Sequence, residues 1–470
     1  MIPVSREHIL ARLREAGFSA ENASVKAAYL ARCDEALDDM GARVEGRITV
    51  WAPGRIEVFG KHTDYAGGRS LLTAVDRGFC VRAAPRADRM IHVHGHDPLA
   101  GSPSVDFALR SALPLDATTA APDGHWSQYI ATVVRRVAHN FPDANTGVDM
   151  AFSSDLPQAA GASSSTALMI SVFIAIAAVN RLPETAAWQA SLGSPEDLAG
   201  YLGAMEMGGA YRALAGLDGV GTLGGSQDQT AILCSAPERV VDYGWMPVRA
   251  LGSYALPASH RFVVAHSGIV AEKSAGARER YNRVSLMVRH LLASWNASTG
   301  RADHSLAAAA ESSATAHGQL RALVPAIATP AFSAEALRMR LDQFLLETYT
   351  LVPAAAAAFA AQDWPALATT AAHSQRAAEA WLGNQVAETS ALVRLAREHG
   401  AIAASAFGAG FGGSVWALVP ADRLTAGDDE FAAGWEAAYA REFPVTASRA
   451  MFFATAAGPP AMQWSDHRDP

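Results

Sequence analysis

Lysine is the first scarcity. Only Lys26, Lys61 and Lys273 occur in 470 residues, so the basic side chains are almost all arginine. No Lys/Arg run resembles a nucleic-acid stripe, and a formal charge of −8 with a pI near 6.0 gives no general basic surface. A nucleic-acid partner is therefore not expected. Cysteine is equally sparse: Cys33, Cys80 and Cys234 lie far apart with no C-x-x-C, which speaks against a disulfide framework and a cysteine zinc site. Long apolar runs are missing too. The most apolar stretch, "ALMISVFIAIAAV" at 167–179, is short for a membrane span and reads as a buried helix. The opening "MIPVSREHILARLREAG" spreads charge throughout and lacks the pattern of a secretory signal. These features read as a cytoplasmic protein with no membrane partner, and nothing in them sets an oligomeric state.

Half the residues are hydrophobic, and the length suits a large core divided over two domains. The first forty residues have amphipathic helical spacing. From Arg47 short β-like runs follow, "RITVWA", "IEVF", "FCVRAA" and "MIHVHGH". Pro98 to Asp123 reads as an excursion, after which "HWSQYIATVVRRVAHNF" resumes helical spacing. "VDMAFSSDLP", "RFVVAHSG", "SVWALVP" and "MFFATAAG" read as strands, and 275–400 as several helices broken near Pro325, Pro330 and Pro353. The alternation predicts a mixed α+β architecture, with a domain change just before 261. Histidines of "HVHGH" (His92, His94, His96) alternate along a strand without a clear carboxylate partner, so a structural role is expected rather than a metal site.

Three small-residue loops suggest phosphate chemistry. "DLPQAAGASSSTAL" runs three serines into a long apolar helix, where free N–H groups and the helix dipole would favour an anion; the alternative is an ordinary serine N-cap. "FGAGFGG" contains G-x-G-x-x-G through Gly408, Gly410 and Gly413. It leads into a strand rather than a helix, so a dinucleotide fold is rejected and close packing against a ligand or another loop remains. In "GTLGGSQDQTAIL", Asp228 sits in a polar turn ahead of a presumed strand. A cradle, a packing loop and a carboxylate together make a kit for phosphoryl transfer.

In this order and company the motifs resemble the GHMP small-molecule kinases, most closely the galactokinases. "APGRIEVFGKHTDYAGG" is similar to the galactokinase signature, "LPQAAGASSSTAL" to the ATP-phosphate motif, and "SAFGAGFGGSVWALV" to the glycine-rich third motif. "GGSQDQ" resembles the catalytic-aspartate segment, and "AHSGIVAEKSAGARERYN" the loop ending in a sugar-contacting tyrosine. The resemblance implies an N-terminal domain like ribosomal protein S5 domain 2 over 1–255 and a ferredoxin-like C-terminal domain over 256–470, with the site between them. It implies ATP and Mg²⁺ as cofactors, and a monosaccharide whose anomeric hydroxyl is phosphorylated. Asp228 and Arg55 would be catalytic. Gly161, Ala162, Ser163, Ser164, Ser165 and Thr166 would hold the nucleotide, and Glu206 with a serine, Ser165 among the candidates, would hold the metal. Glu57, Lys61, His62, Asp64, Gly225 and Tyr281 fall at acceptor-binding positions. A non-catalytic sugar and ATP sensor is the alternative of another class, against which the intact serine motif, Arg55 and Asp228 speak.

Two signature positions depart from the usual pattern. Glu57 stands where asparagine is typical, and Lys61 where a glutamate would accept from the sugar. A Lys61 facing the acceptor would suit a uronic acid; a Lys61 paired with Glu57 or Asp64 would leave a neutral hexose or a pentose. Strand periodicity puts Arg55 and Glu57 on one face, which offers Glu57 as a holder of Arg55.

Overall fold

A computed structural model describes residues 6–96, 103–109, 126–156, 161–269, 275–424 and 430–465. Twelve strands form two sheets among the described residues. They are β1 (Ile48–Phe59), β2 (Arg69–Pro85), β3 (Met90–His96), β4 (Ser104–Ala108), β5 (Val148–Ser154), β6 (Arg239–Gly244), β7 (Arg249–Ala255), β8 (His260–His266), β9 (Ala403–Phe407), β10 (Ser414–Pro420), β11 (Met451–Thr455) and β12 (Met462–Ser465). The larger sheet runs β12-β1-β2-β5-β3-β4, with β6 also on β2 and β7 on β6. Only β3 and β5 in it are parallel. The smaller sheet is antiparallel in the order β11-β8-β10-β9, the ferredoxin-like arrangement. The sheet changes between Ala255 and His260, across the expected border, yet β12 carries the chain's end back onto β1.

Local sequence explains where several expectations needed revision. "RITVWA" and "IEVF" are one strand, because "PG" between them is absorbed as an irregularity in the pairing with β2 rather than as a turn. Gly54 is required there: a Cβ would lie 2.6 Å from Leu156 and 2.9 Å from the Ala162 carbonyl oxygen. β4 was not foreseen within the 98–123 excursion, most of which lies outside the described residues. His92 meets Asp106 of β4, so it does have a carboxylate partner, and His94 meets Ser104 at 2.8 Å. Among the described residues no cluster of three or more His, Cys, Asp or Glu side chains is arranged for a metal. Cys33 and Cys80 are buried free thiols, and Cys234 is a free thiol as well.

The helix Ser164–Val179 is apolar all round because it is covered on all sides; Ile170, Phe173 and Ile176 are fully buried in the main core. Each such side chain contributes about 1.5–3 kcal/mol relative to exposure. Pro353 does not break its helix. The run Ala334–Ala361 is continuous, with a π turn at Glu347–Leu351 just ahead of the proline. Proline has no N–H for the carbonyl of Tyr349 four residues back, and a widened turn accommodates that loss. By length and composition this run could cross a membrane, but it is a largely buried helix here and turns Arg340, Gln343 and Glu347 into the protein. Together with Ala275–Thr299 and the helices between, it packs a second core against Tyr65 and Ala66 of the signature turn.

Candidate active site

Arg55 leaves β1 where the register with β2 shifts, and its guanidinium is fixed at two points. Nε donates to Asp228 Oδ1 at 2.7 Å and Nη1 to the Gly161 carbonyl at 2.6 Å, while its backbone N–H donates to the Ala162 carbonyl at 3.2 Å. The Arg55 side chain is 5% exposed and that of Asp228 31%, so the cation is locked and the carboxylate keeps an accessible edge. Asp228 lies in the first turn of a helix, Gln227–Cys234, and not before a strand as its sequence context suggested. Gln227, Gln229, Thr230, Ala231 and Ile232 are all buried in it, and so short a buried run does not distinguish strand from helix by its pattern. A helix N-terminus favours the carboxylate.

The serine motif turns through Gly161 (φ +66°) and Ser163 (φ +61°) into the apolar helix. Elsewhere Ser19, Ser194, Ser305 and Ser333 cap helices by accepting a backbone N–H. Ser163 does not: its hydroxyl donates to Asp228 Oδ2, and the helix start has no side-chain cap. Ser163 is thus not an ordinary N-cap of this helix. Thr166, one turn on, donates to Glu206 Oε2 at 3.2 Å, and Gln229 donates to the same oxygen at 2.7 Å. Burial, reinforced by the neighbouring Asp228 carboxylate, pushes Glu206 up to about 7. The glycine-rich loop joins β9 to β10 as a hairpin and packs on the serine turn: a Cβ on Gly408 would meet the Gly161 carbonyl at 3.4 Å and Arg55 Nη2 at 3.6 Å.

The signature turn brings Asp64 beside this centre. Its Oδ2 accepts from Gln227 N–H at 3.3 Å, and a Cβ on Gly225 would lie 2.3 Å from that oxygen, so glycine is needed for the approach. Burial raises Asp64 to about 6, against the backbone N–H groups that lower it and with Asp228 adding to the rise. Tyr281, on the helix Ala275–Thr299, sets its ring 5.5 Å from that of His62 at a tilt of 50°. Burial, then the charges of Asp64, Asp228 and Glu206, hold its phenol well above the usual range. A Cβ on Gly224 would lie 2.9 Å from the Tyr281 hydroxyl, so Asp64 and Tyr281 both border the turn that leads into Asp228.

Three signature residues are placed differently from expectation. Lys61 is 1% exposed, and its ammonium donates to Ser374 Oγ at 2.7 Å and Ser405 Oγ at 2.9 Å, so it neither faces an acceptor nor pairs with Glu57 or Asp64. His62 is buried with Nδ1 on the Tyr65 hydroxyl at 2.9 Å and Nε2 on the Ala409 carbonyl at 3.2 Å; both ring nitrogens are engaged by protein. Burial, then the Arg340 charge, holds it down at about 3, so the ring is neutral. Glu57 does not hold Arg55. It is 3% exposed and accepts from the Gln227 side chain through Oε2, leaving Oε1 buried without a partner. Desolvation pushes it up to about 7 even though Lys61 and Arg55 pull the other way. The departures share a cause: β1 and the turn after it are buried among several elements, so the long side chains there find interior partners in Gln227, Ser374, Ser405, Tyr65 and Ala409.

Sequence reasoning missed Gln227 and Gln229, which flank Asp228 and tie it to Glu57, Ser70 and Glu206. It also missed Arg340, Gln343 and Glu347. Their signal was available as polar residues at i, i+3 and i+7 on an otherwise apolar helix stripe.

Comparison with known proteins agrees with this geometry. A profile described as the galactokinase galactose-binding signature matches residues 39–85, and one for the GHMP kinases N-terminal domain matches 128–235. The galactokinase of a Roseiflexus species is 36% identical over 142 residues, 30% of this chain and 33% of that protein. That of Glaesserella parasuis is 31% identical over 145 residues, 31% and 35% of the two. These alignments therefore span about a third of the relatives' length. In structure, the galactose-complexed galactokinase of Lactococcus lactis superposes with a TM-score of 0.71 at 19% identity, covering 92% of this chain and 98% of that one. The chain thus shares its fold with a solved galactokinase and carries two segments that match the galactokinase signature and the GHMP kinase N-terminal domain.

Proposed function

We propose that the protein is an ATP-dependent sugar kinase that transfers the γ-phosphoryl group to the anomeric hydroxyl of galactose or a closely related monosaccharide. The observation that carries this reading is the Arg55–Asp228–Ser163 constellation at the meeting of two helix N-termini, with Asp64 and Tyr281 beside it. The turn Gly161–Thr166 would cradle the β- and γ-phosphates on backbone N–H groups. Arg55, already immobilised, stabilises negative charge developing on the transferred group without having to reorganise. Asp228 orients the acceptor hydroxyl and takes its proton as the bond to phosphorus forms. Asp64, ionised, accepts from sugar hydroxyls.

The oxygen donors suit Mg²⁺. Glu206 and a hydroxyl from Ser163–Ser165 would hold the cation, and the closeness of the Glu206 and Asp228 charges is what a divalent ion relieves. It would supply charge neutralisation at the phosphate oxygens. The Lys61 ammonium, which alone favoured an acidic acceptor, is occupied by Ser374 and Ser405, and this supports a neutral sugar. A coupled ADP-release assay over neutral hexoses, pentoses and uronic acids tests the reading: galactose or a near relative should stimulate turnover most. Sugar- and ATP-dependent capture of a protein partner with no turnover on any acceptor would replace the kinase by a sensor.

A further inference from the structure

The turn after β1 is strained. Gly60 has φ +101° and His62 φ +56°, two left-handed conformations in three residues, the second at a side chain that disfavours it. A Cβ on Gly60 would fall 2.3 Å from Ser70 Oγ, so the turn has little room to relax. Three side chains of one helical run hold its backbone. Arg340 donates to the His62 carbonyl at 2.6 Å, and Gln343 donates to the Lys61 carbonyl at 3.1 Å. Glu347 Oε1 accepts from the Gly60 N–H at 2.9 Å and the Lys61 N–H at 3.4 Å. Glu347 is fully buried and opens the π turn. Its charge is answered through one hydroxyl: Ser374 Oγ lies 3.0 Å from each Glu347 oxygen and accepts from Lys61 Nζ.

We propose that Glu347 is a positioning residue of the acceptor site. It fixes the N–H groups of Gly60 and Lys61 and thereby the turn from which Asp64 reaches Gln227 and Asp228, with Lys61 as its buried counter-cation across Ser374. The signature lysine thus works behind the site and not in it. Which acceptor is affected rests on the sugar-kinase reading above; the hold on the turn does not.

The test uses the full chain as wild type, Glu347→Ala, Glu347→Gln and the double variant Glu347→Ala/Lys61→Met. Hydrogen–deuterium exchange of a peptide covering 59–66 should quicken about ten-fold in Glu347→Ala, and a peptide covering 161–170 should keep its wild-type rate. Glu347→Gln, which retains an acceptor oxygen, should restore most of the protection. In steady-state assays Glu347→Ala should raise the KM for galactose about ten-fold and leave the KM for ATP within about two-fold. The double variant removes the Glu347 and Lys61 charges together and should recover thermal stability relative to Glu347→Ala while keeping fast exchange at 59–66; it serves also if Glu347→Ala alone does not fold. Wild-type exchange at 59–66 in either alanine variant would overturn the proposal, as would a KM for ATP that rises in step with that for galactose. Absence of wild-type turnover on any neutral hexose, pentose or uronic acid would instead defeat the kinase reading, while exchange, which needs no catalysis, still decides the role of Glu347.

Discussion

The candidate site has two walls built on different principles. One comes from β1, the serine turn and the Gln227–Cys234 helix, and it presents Arg55, Ser163, Asp228 and Glu206 around a shared space. The other comes from the helical run Ala334–Ala361 with Ser374 and Asn384, and it turns Arg340, Gln343 and Glu347 inward. Its polar atoms are spent on the backbone of Gly60, Lys61 and His62 and on the Ala409 carbonyl. The first wall uses helix termini and partly accessible carboxylates, so its chemistry is directed at a ligand. The second uses fully buried charge and amide groups, so its chemistry is directed at the first. Catalytic and supporting polarity are thus told apart by what the polar atoms face, and not by residue type.

The largest effect should follow from breaking the first wall. Asp228→Asn is expected to cut turnover by about 10²- to 10⁴-fold. ATP binding, followed by calorimetry, should persist, because the serine turn and its helix are left in place. Near-normal turnover would remove Asp228 from the mechanism. Next comes the second wall. Lys61→Met deprives Glu347 of its relayed cation, and the cost should be about 3 kcal/mol of unfolding free energy, read by urea titration. Lys61→Glu should be worse still, since it would add a carboxylate near both Glu57 and Glu347. A soluble Lys61→Glu protein of wild-type stability would show that position 61 faces water after all.

A smaller effect should sharpen the boundary between the walls. The Asp64 carboxyl, raised to about 6, is protonated in part below that pH and loses capacity to accept from a sugar. Its ionised fraction grows as pH rises, so the KM for galactose should fall through pH 6 and level off above about 7. Asp64→Asn should abolish that step while also weakening binding. A step unchanged in the variant would assign the titration elsewhere, with Glu206 and Glu57 as the candidates, since both are pushed up to about 7.

The sequence disclosed the first wall well because its parts are local. A serine run entering an apolar helix, an arginine two residues after a proline in a β pattern, and an aspartate among small polar residues each occupy a few consecutive positions. It misjudged the second because its partners are distant: Lys61 meets Ser374 and Ser405 more than three hundred residues away. Periodicity placed Glu57 and Arg55 on one face but could not tell which nearby partner each would take; Glu57 accepts from Gln227, and Arg55 donates to Asp228. Pro353 was read as a stop because local rules make it one, and the tertiary packing of a buried helix kept the run continuous through a π turn.

By itself, then, the sequence determined the α+β class, the order of motifs and the candidates for the reacting groups, since these depend on residue type and short spacing. Only the tertiary structure decided the direction of the long side chains at 57, 61 and 62. Burial removes water as their partner, and a charge or ring nitrogen withdrawn from water must then take whichever protein group the fold brings within reach.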